Sequence, residues 1–151
     1  MAILKPFAAI FDVDGTLCDV SGIRHYVRDP LKKNFRAFHA ASAYVPAHEP
    51  VVNLAKQLHE AGVVIFVVTA RRERWRYVTS NWLRKYEVPH DYLYMRDDWD
   101  DRRDVEVKRD ILVSIRNHHN VILAVDDNPA VIQLWNDESI PVVTWPGWET
   151  E

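Results

Sequence analysis

Phe7-Ala8-Ala9-Ile10-Phe11-Asp12-Val13-Asp14-Gly15-Thr16 carries the fold in its first half and the chemistry in its second. The apolar run Phe7 to Phe11 is short and unbroken, as in a strand covered on both faces of a parallel sheet. Such sheets bind ligands beyond the carboxyl ends of their strands, and Asp12 and Asp14 fall there. Two carboxylates at that place can hold a metal ion, attack an electrophile or move a proton; phosphoryl transfer uses all three. Asp14-Gly15 is also a hairpin signal, but Ser21 to Asp29 supplies no second alternating strand. A calcium loop that begins Asp-x-Asp needs glycine at its sixth position and glutamate at its twelfth. Here the glycine is fourth and the twelfth residue is Ile23.

Beyond this stretch, strand and helix patterns alternate. A helix is expected from about Leu31 to Ser42. Another runs from Pro50 to Ala61, with Val51, Leu54, Ala55, Leu58 and Ala61 on one face, Pro50 in its first turn and Gly62 at its end. The strand Val63 to Val68 follows, then a helix from about Glu73 to Lys85 and a short strand near Tyr92 to Met95. After an acidic loop come a helix from about Val105 to Asn117, the strand Val121 to Val125, a helix near Pro129 to Asn136 and a last strand near Pro141 to Thr144. Strands separated by helices imply right-handed crossovers and a mostly parallel sheet with helices on both faces, an α/β Rossmann-like fold.

The chain has 151 residues, of which 48% are hydrophobic, enough for one core, so residues 1–151 are expected to form a single domain. A formal net charge of −3 gives no global attraction to nucleic acid or anionic lipid. No apolar run reaches the ~20 residues that span a bilayer, and Met1 to Pro6 lacks the pattern of a signal peptide. Cys18 is the single cysteine, which excludes an intramolecular disulfide and a cysteine-based zinc site. A cytoplasmic setting is the expectation, with Cys18 as a small core residue. There is no GxxxxGK[ST] phosphate loop.

Three strands end in polar residues with complementary chemistry. The first ends in Asp12 and Asp14, the second in Thr69-Ala70-Arg71, and the fourth in Asp126-Asp127-Asn128-Pro129. Lys108 lies in the helix before the strand that ends at Asp126. A phosphate ester repels a carboxylate unless its charge is masked, and Mg2+ held by carboxylates can mask it. Asp12 and Asp126 are the expected ligands, with Asp127 joining them or orienting a water. One aspartate can attack phosphorus to form an acyl phosphate, and another can protonate the leaving alkoxide and later activate water. Thr69 can donate a hydrogen bond to the transferring phosphoryl group, and Lys108 can offset charge that spreads over its oxygens.

Asp12-Val13-Asp14-Gly15-Thr16, Thr69, Lys108 and Asp126-Asp127 together resemble the four motifs of the haloacid dehalogenase (HAD) superfamily of phosphohydrolases, over Phe7 to about Trp145. The resemblance implies strand order 5-4-1-2-3, Asp12 as nucleophile and Asp14 as general acid/base. It also implies Mg2+ bound by Asp12, the Asp14 carbonyl and Asp126. A narrower resemblance is to the 3′-phosphatase domain of phage-type polynucleotide kinase/phosphatase enzymes. It rests on Phe11 to Leu17, Val67-Val68-Thr69-Ala70-Arg71, Met95-Arg96 with Asp101 to Lys108, and Leu123 to Asp127. Arg71 matches that family's substrate-phosphate arginine. The other such arginine follows the first motif, where this chain reads Gly22-Ile23-Arg24, displaced by one position. The resemblance implies a polynucleotide 3′-phosphatase that heals DNA or RNA ends.

About three dozen residues separate Asp14 from Pro50. The insertion, about residues 19–49, can form a small flap but not a full helical cap, so a site left open would suit a phosphate carried on something large. The loop Asp97 to Asp104 or a partner subunit could cover it instead. Arg24, Arg28, Lys32, Lys33 and Arg36 line the insertion, and Arg71, Arg72, Arg74 and Arg76 begin a helix near the site. Tyr26, Phe35, Phe38, Tyr44 and Trp75 lie among them. Basic groups with interleaved aromatics suit a nucleic acid strand; a solvated basic face with core aromatics is the alternative. Two other functions stay open: a phosphatase of nucleotides or other small phosphoesters, and a non-catalytic binding domain that keeps the fold. The closing Trp145-Pro146-Gly147-Trp148 suits core, a subunit contact or a stacking surface equally.

Overall fold

The computed structural model describes residues 4–147; Trp148 therefore lies outside the described residues. Five parallel strands form one sheet: β1 (Phe7–Phe11), β2 (Val64–Arg72), β3 (Tyr92–Arg96), β4 (Asn120–Asp126) and β5 (Val142–Thr144). Their order is β3-β2-β1-β4-β5, the expected order read from the opposite edge. The helices are α1 (His25–Arg28), α2 (Phe35–Ala41), α3 (Glu49–Glu60), α4 (Arg76–Lys85), α5 (Asp104–Arg116) and α6 (Pro129–Asp137).

Alternation along the central strands sends side chains into two cores. Ala9, Phe11, Ile65 and Val67 pack toward α3 and α4 with Val51, Ala55, Trp82 and Leu83. Ala8, Ile10, Phe66 and Val68 pack the other way, against Leu112, Ile115, Leu134 and Trp135 of α5 and α6. Residues of β1 from Ala8 onward are buried on both faces, which is why the run reads as continuously apolar. Each large side chain so buried contributes ~1.5–3 kcal/mol.

Register aligns the strand ends. Phe11 lies beside Val67 on one side and Val125 on the other. Asp12 and Asp126 thus leave the sheet at one level, and the Asp12 amide donates to the Val125 carbonyl at 3.0 Å.

Several elements depart from their expected bounds. β2 continues four residues beyond Val68 to Arg72, where it pairs with Arg96 of β3 after a register shift. Thr69 and Arg71, expected at the strand's end, are therefore strand residues in full. Instead of one helix over Leu31 to Ser42, the insertion holds α1 and a shorter α2, followed by a 3-10 turn at Ser42–Tyr44. Asn34 starts α2 by accepting the Ala37 amide at 3.0 Å, so Leu31 to Lys33 stay outside. The expected helix from Glu73 begins as a 3-10 turn over Glu73–Trp75, with α4 proper starting at Arg76.

Candidate active site

The turn after β1 folds the chain back sharply. The Leu17 amide donates to the Asp12 carbonyl at 3.3 Å, and the Thr16 and Cys18 amides donate to Val13 at 3.2 and 3.0 Å. Gly15 has φ +81°, and a Cβ there would overlap the Asp127 carboxylate. Glycine is needed twice, for its backbone angle and for the closeness of β4's end.

Asp12, Asp126 and Asp127 are buried, and each offers an oxygen within 4.8 Å of the others. Lys108 from α5 enters between them, its Nζ 2.8 Å from Asp12 Oδ1 and 3.0 Å from Asp126 Oδ2. Thr16 Oγ1 lies 3.1 Å from Asp12 Oδ2 and 3.3 Å from Asp127 Oδ1. Asp126 Oδ1 accepts the Asp127 and Asn128 amides at 2.9 and 3.1 Å, at the start of α6.

Three buried carboxylates face one ammonium, and the imbalance shows in their proton affinities. Burial, with Asp126 next, pushes the Asp12 carboxyl well above the usual range despite Lys108. Burial also raises Asp127. For Lys108 burial favours the neutral amine, but Asp12 and Asp126 outweigh it and hold the ammonium well above the lysine range. Asp127 Oδ2 is buried and accepts no hydrogen bond among the described residues. Three carboxylates beside Lys108, with Arg24 3.5 Å from Asp127 Oδ2, keep an excess of negative charge and fit a hard divalent cation with oxygen ligands.

Asp14 is not among the clustered carboxylates and is held by Arg71 through both oxygens, Nε to Oδ2 at 2.9 Å and Nη2 to Oδ1 at 2.6 Å. Burial raises its carboxyl, but the Arg71 charge and hydrogen bonds outweigh burial and hold it below the usual carboxylate value. Arg71 Nη1 donates to Thr79 Oγ1 of α4 at 3.0 Å. Thr69 Oγ1 accepts the Arg71 amide at 3.2 Å. Arg24 lies 3.5 Å from Asp127 Oδ2 and donates to the Gly147 carbonyl.

Asp14, Arg24 and Arg71 open onto a cavity of about 1120 Å3 walled by α2, the β2–α4 turn and the loop before α5. Arg96 braces that loop, donating to the carbonyls of Asp100 and Arg102 at 3.0 and 2.5 Å and pairing with Asp104 at 2.6 Å. The loop thus forms a wall of the cavity. Of the expected basic residues, Lys32 and Arg76 do not line it; Arg76 pairs with Glu73 at 2.7 Å. Of the aromatics, Phe35, Phe38 and Trp75 line it. Tyr26 packs against the core, and Tyr44 lines a separate cavity of about 440 Å3. Trp145 packs on the core beside His48, with ring centroids 5.3 Å apart.

All eight expected residues, Asp12, Asp14, Arg24, Thr69, Arg71, Lys108, Asp126 and Asp127, lie at this end of the sheet. Sequence reasoning passed over Thr16, Thr79, Trp135 and His39. Thr16 follows directly from the first motif and was legible as its hydroxyl member. Thr79 and Trp135, whose Nε1 lies 3.4 Å from Asp126 Oδ2, look like ordinary helix residues until packing brings them in. His39 was hidden among core-spaced aromatics.

Comparison with known proteins agrees with the geometry. The strand order, the carboxylate cluster and the family match together place the chain among the phosphatases of the HAD superfamily. More narrowly, the chain belongs to the family of the polynucleotide kinase PNKP phosphatase domain, whose profile matches residues 6–145. It is 32% identical over 132 residues to a protein of Autographa californica nuclear polyhedrosis virus described as a putative bifunctional polynucleotide kinase/RNA ligase, covering 84% of this chain and 18% of that protein. A chain of the Pnkp1/Rnl/Hen1 complex superposes with TM-score 0.79 at 27% identity, covering 93% of this chain and 46% of that one. A haloacid dehalogenase-like hydrolase from Streptococcus pneumoniae shares the fold at 14% identity, with TM-score 0.64 over 93% of this chain and 84% of that one. The chain thus spans less than half the length of the first two. Among the described residues no helix is long and apolar enough to cross a membrane.

Proposed function

We propose that this chain is a Mg2+-dependent phosphomonoesterase that removes 3′-phosphates from DNA or RNA ends. The observation that carries this reading is the buried Asp12–Lys108–Asp126 arrangement opening onto an arginine-lined cavity. Support for a nucleic acid end comes from the family match and from the relatives' names, a polynucleotide kinase/RNA ligase and an RNA repair complex. The insertion, residues 19–49, would act as a small flap that leaves room for a strand. A single, buried cysteine suits a reducing, cytoplasmic setting.

Mg2+ on Asp12, Asp126, Asp127 and the Asp14 carbonyl would mask the negative charge of the phosphate. Asp12 is the nucleophile: its carboxylate oxygen bonds to phosphorus as the bond to the ester oxygen breaks, giving an acyl phosphate on Asp12. Asp14 would take up a proton once substrate draws Arg71 off its carboxylate, and in that form protonates the departing alkoxide. It then takes a proton from the water that attacks the acyl phosphate, which releases inorganic phosphate and restores Asp12. Lys108 favours the ionised form of Asp12 against Asp126 and supplies positive charge beside the phosphoryl oxygens, toward which Thr69 donates. Arg71 and Arg24 bind the phosphate. Arg71 engages both oxygens of Asp14 in this arrangement, so it must trade at least one of them for a phosphate oxygen when substrate enters.

The test is Mg2+-dependent phosphate release from a 3′-phosphorylated oligonucleotide, its 5′-phosphorylated isomer and a 3′-mononucleotide. We expect strong preference for the first, and loss on the order of 10⁴-fold or more with Asp12→Asn. Equal or better turnover of the mononucleotide would make the protein a small-molecule phosphatase. No release from any of the three would overturn the 3′-phosphatase reading and leave the fold with its substrate open.

A further inference from the structure

The cavity that opens on Asp14 has one wall of a different chemistry. Trp75, His39 and Phe35 form a row there, with ring centroids of His39 and Trp75 5.1 Å apart and those of Phe35 and His39 6.4 Å apart and near parallel. Phe35 is 54% exposed and Trp75 half-buried, so the row is not core. His39 is 8% exposed, and its Nδ1 has no hydrogen-bond partner among the described residues. Burial pushes His39 down to about 4, so its ring is neutral at pH 7.

The row is tied to the phosphate-binding arginine. Thr79 Oγ1 accepts from Arg71 Nη1 at 3.0 Å and donates to the Trp75 carbonyl at 2.9 Å. One hydroxyl thus links a guanidinium beside Asp14 to the backbone of Trp75. Lys33 and Arg36, on either side of Phe35 in sequence, also line the cavity. An anion, a flat ring and further anions at successive positions describe the end of a phosphodiester strand.

We propose that Trp75 and Phe35, backed by the buried His39 ring between them, are a stacking platform for the terminal nucleobase of a 3′-phosphorylated strand. Lys33 and Arg36 receive the next phosphates. The proposal rests on the 3′-phosphatase reading above and names how that site selects a nucleoside.

The experiment measures kcat/KM on three substrates: a 3′-phosphorylated oligonucleotide, the same strand with an abasic terminal residue, and glycerol 2-phosphate. Wild-type protein is expected to favour the base-bearing end over the abasic end by about tenfold to a hundredfold. Trp75→Ala is expected to bring that ratio close to one, mainly through KM, and Trp75→Phe to restore much of it. Phe35→Ala, at an exposed ring, is expected to reduce it without a folding defect. A ratio unchanged in both alanine variants overturns the platform, as does a wild-type protein that turns over 3′-ends without regard to the base. Turnover of glycerol 2-phosphate with none of either oligonucleotide overturns the 3′-phosphatase reading itself.

Discussion

His39 is a histidine that folding keeps uncharged. It is flanked by Phe35, Phe38 and Trp75. Burial lowers its proton affinity most; Asp14 opposes this and Arg71 adds to it. Its folded value of about 4 lies below the ordinary 6.5, so below pH 6.5 the unfolded chain binds a proton that the folded chain refuses. The contribution is therefore intact above pH 6.5 and lost progressively between 6.5 and about 4, to a total of ~3 kcal/mol. Urea unfolding of wild type and His39→Gln at pH 7.5 and 4.5 reads this directly. The wild type should lose on the order of 2–3 kcal/mol more than the variant on acidification; parallel losses would show that His39 does not resist protonation. Thr16 illustrates the same scale differently. Its hydroxyl spans Asp12 and Asp127, a role that its place in the first motif allows but cannot show, because Asp127 is 111 residues away.

Among the elements, the turn after β1 is where local and distant demands meet. Gly15 stands at φ +81° against the Asp127 carboxylate. In Gly15→Ala the left-handed backbone alone costs about 1–2 kcal/mol, and the methyl group also displaces Asp127. We expect a stability loss of at least that size together with weaker cation binding, measured by denaturation with and without Mg2+. A variant as stable as wild type, with Mg2+ binding intact, would mean that the turn relaxes to accept a side chain. The turn was legible from Asp14-Gly15, and α3 and α6 from Pro50, Gly62 and the Asn128-Pro129 start, since caps and breakers act over a few residues. The polar end of β2 was legible as a strand end, but not how far its pairing runs. Thr69-Ala70-Arg71-Arg72 has no apolar pattern, and it is extended because Arg72 pairs with Arg96 across the sheet. The insertion differs from its expected form for a related reason. Its Lys32-Lys33-Asn34 stretch suits a helix or a loop, and the Asn34 cap decides between them.

Across the molecule as a whole, parallel packing gathers residues far apart in the chain. Lys108 is 96 residues from Asp12 and 18 from Asp126, yet the three share one buried cluster short of positive charge. A divalent cation bound there would stabilise the folded chain by ~2.7 kcal/mol at a hundred times its Kd. For a chain of this size that is a rise in Tm of roughly 5–10 °C. Thermal unfolding with Mg2+ and then excess EDTA should show the rise and its reversal, and Asp126→Asn should lose most of it. An unchanged Tm in the wild type would remove the cation from the site.

Local patterns in the chain were enough for the α/β alternation, the parallel sheet and every acidic residue of the cluster. Burial on both sheet faces and the chemistry of strand ends leave such patterns in a few consecutive residues. Packing between elements alone established that Arg71 grips both oxygens of Asp14, that Thr79 links Arg71 to the Trp75 backbone, and that His39 lies uncharged on a cavity wall. Those facts depend on distances between side chains from separate elements, and such distances leave no trace in any short stretch of sequence.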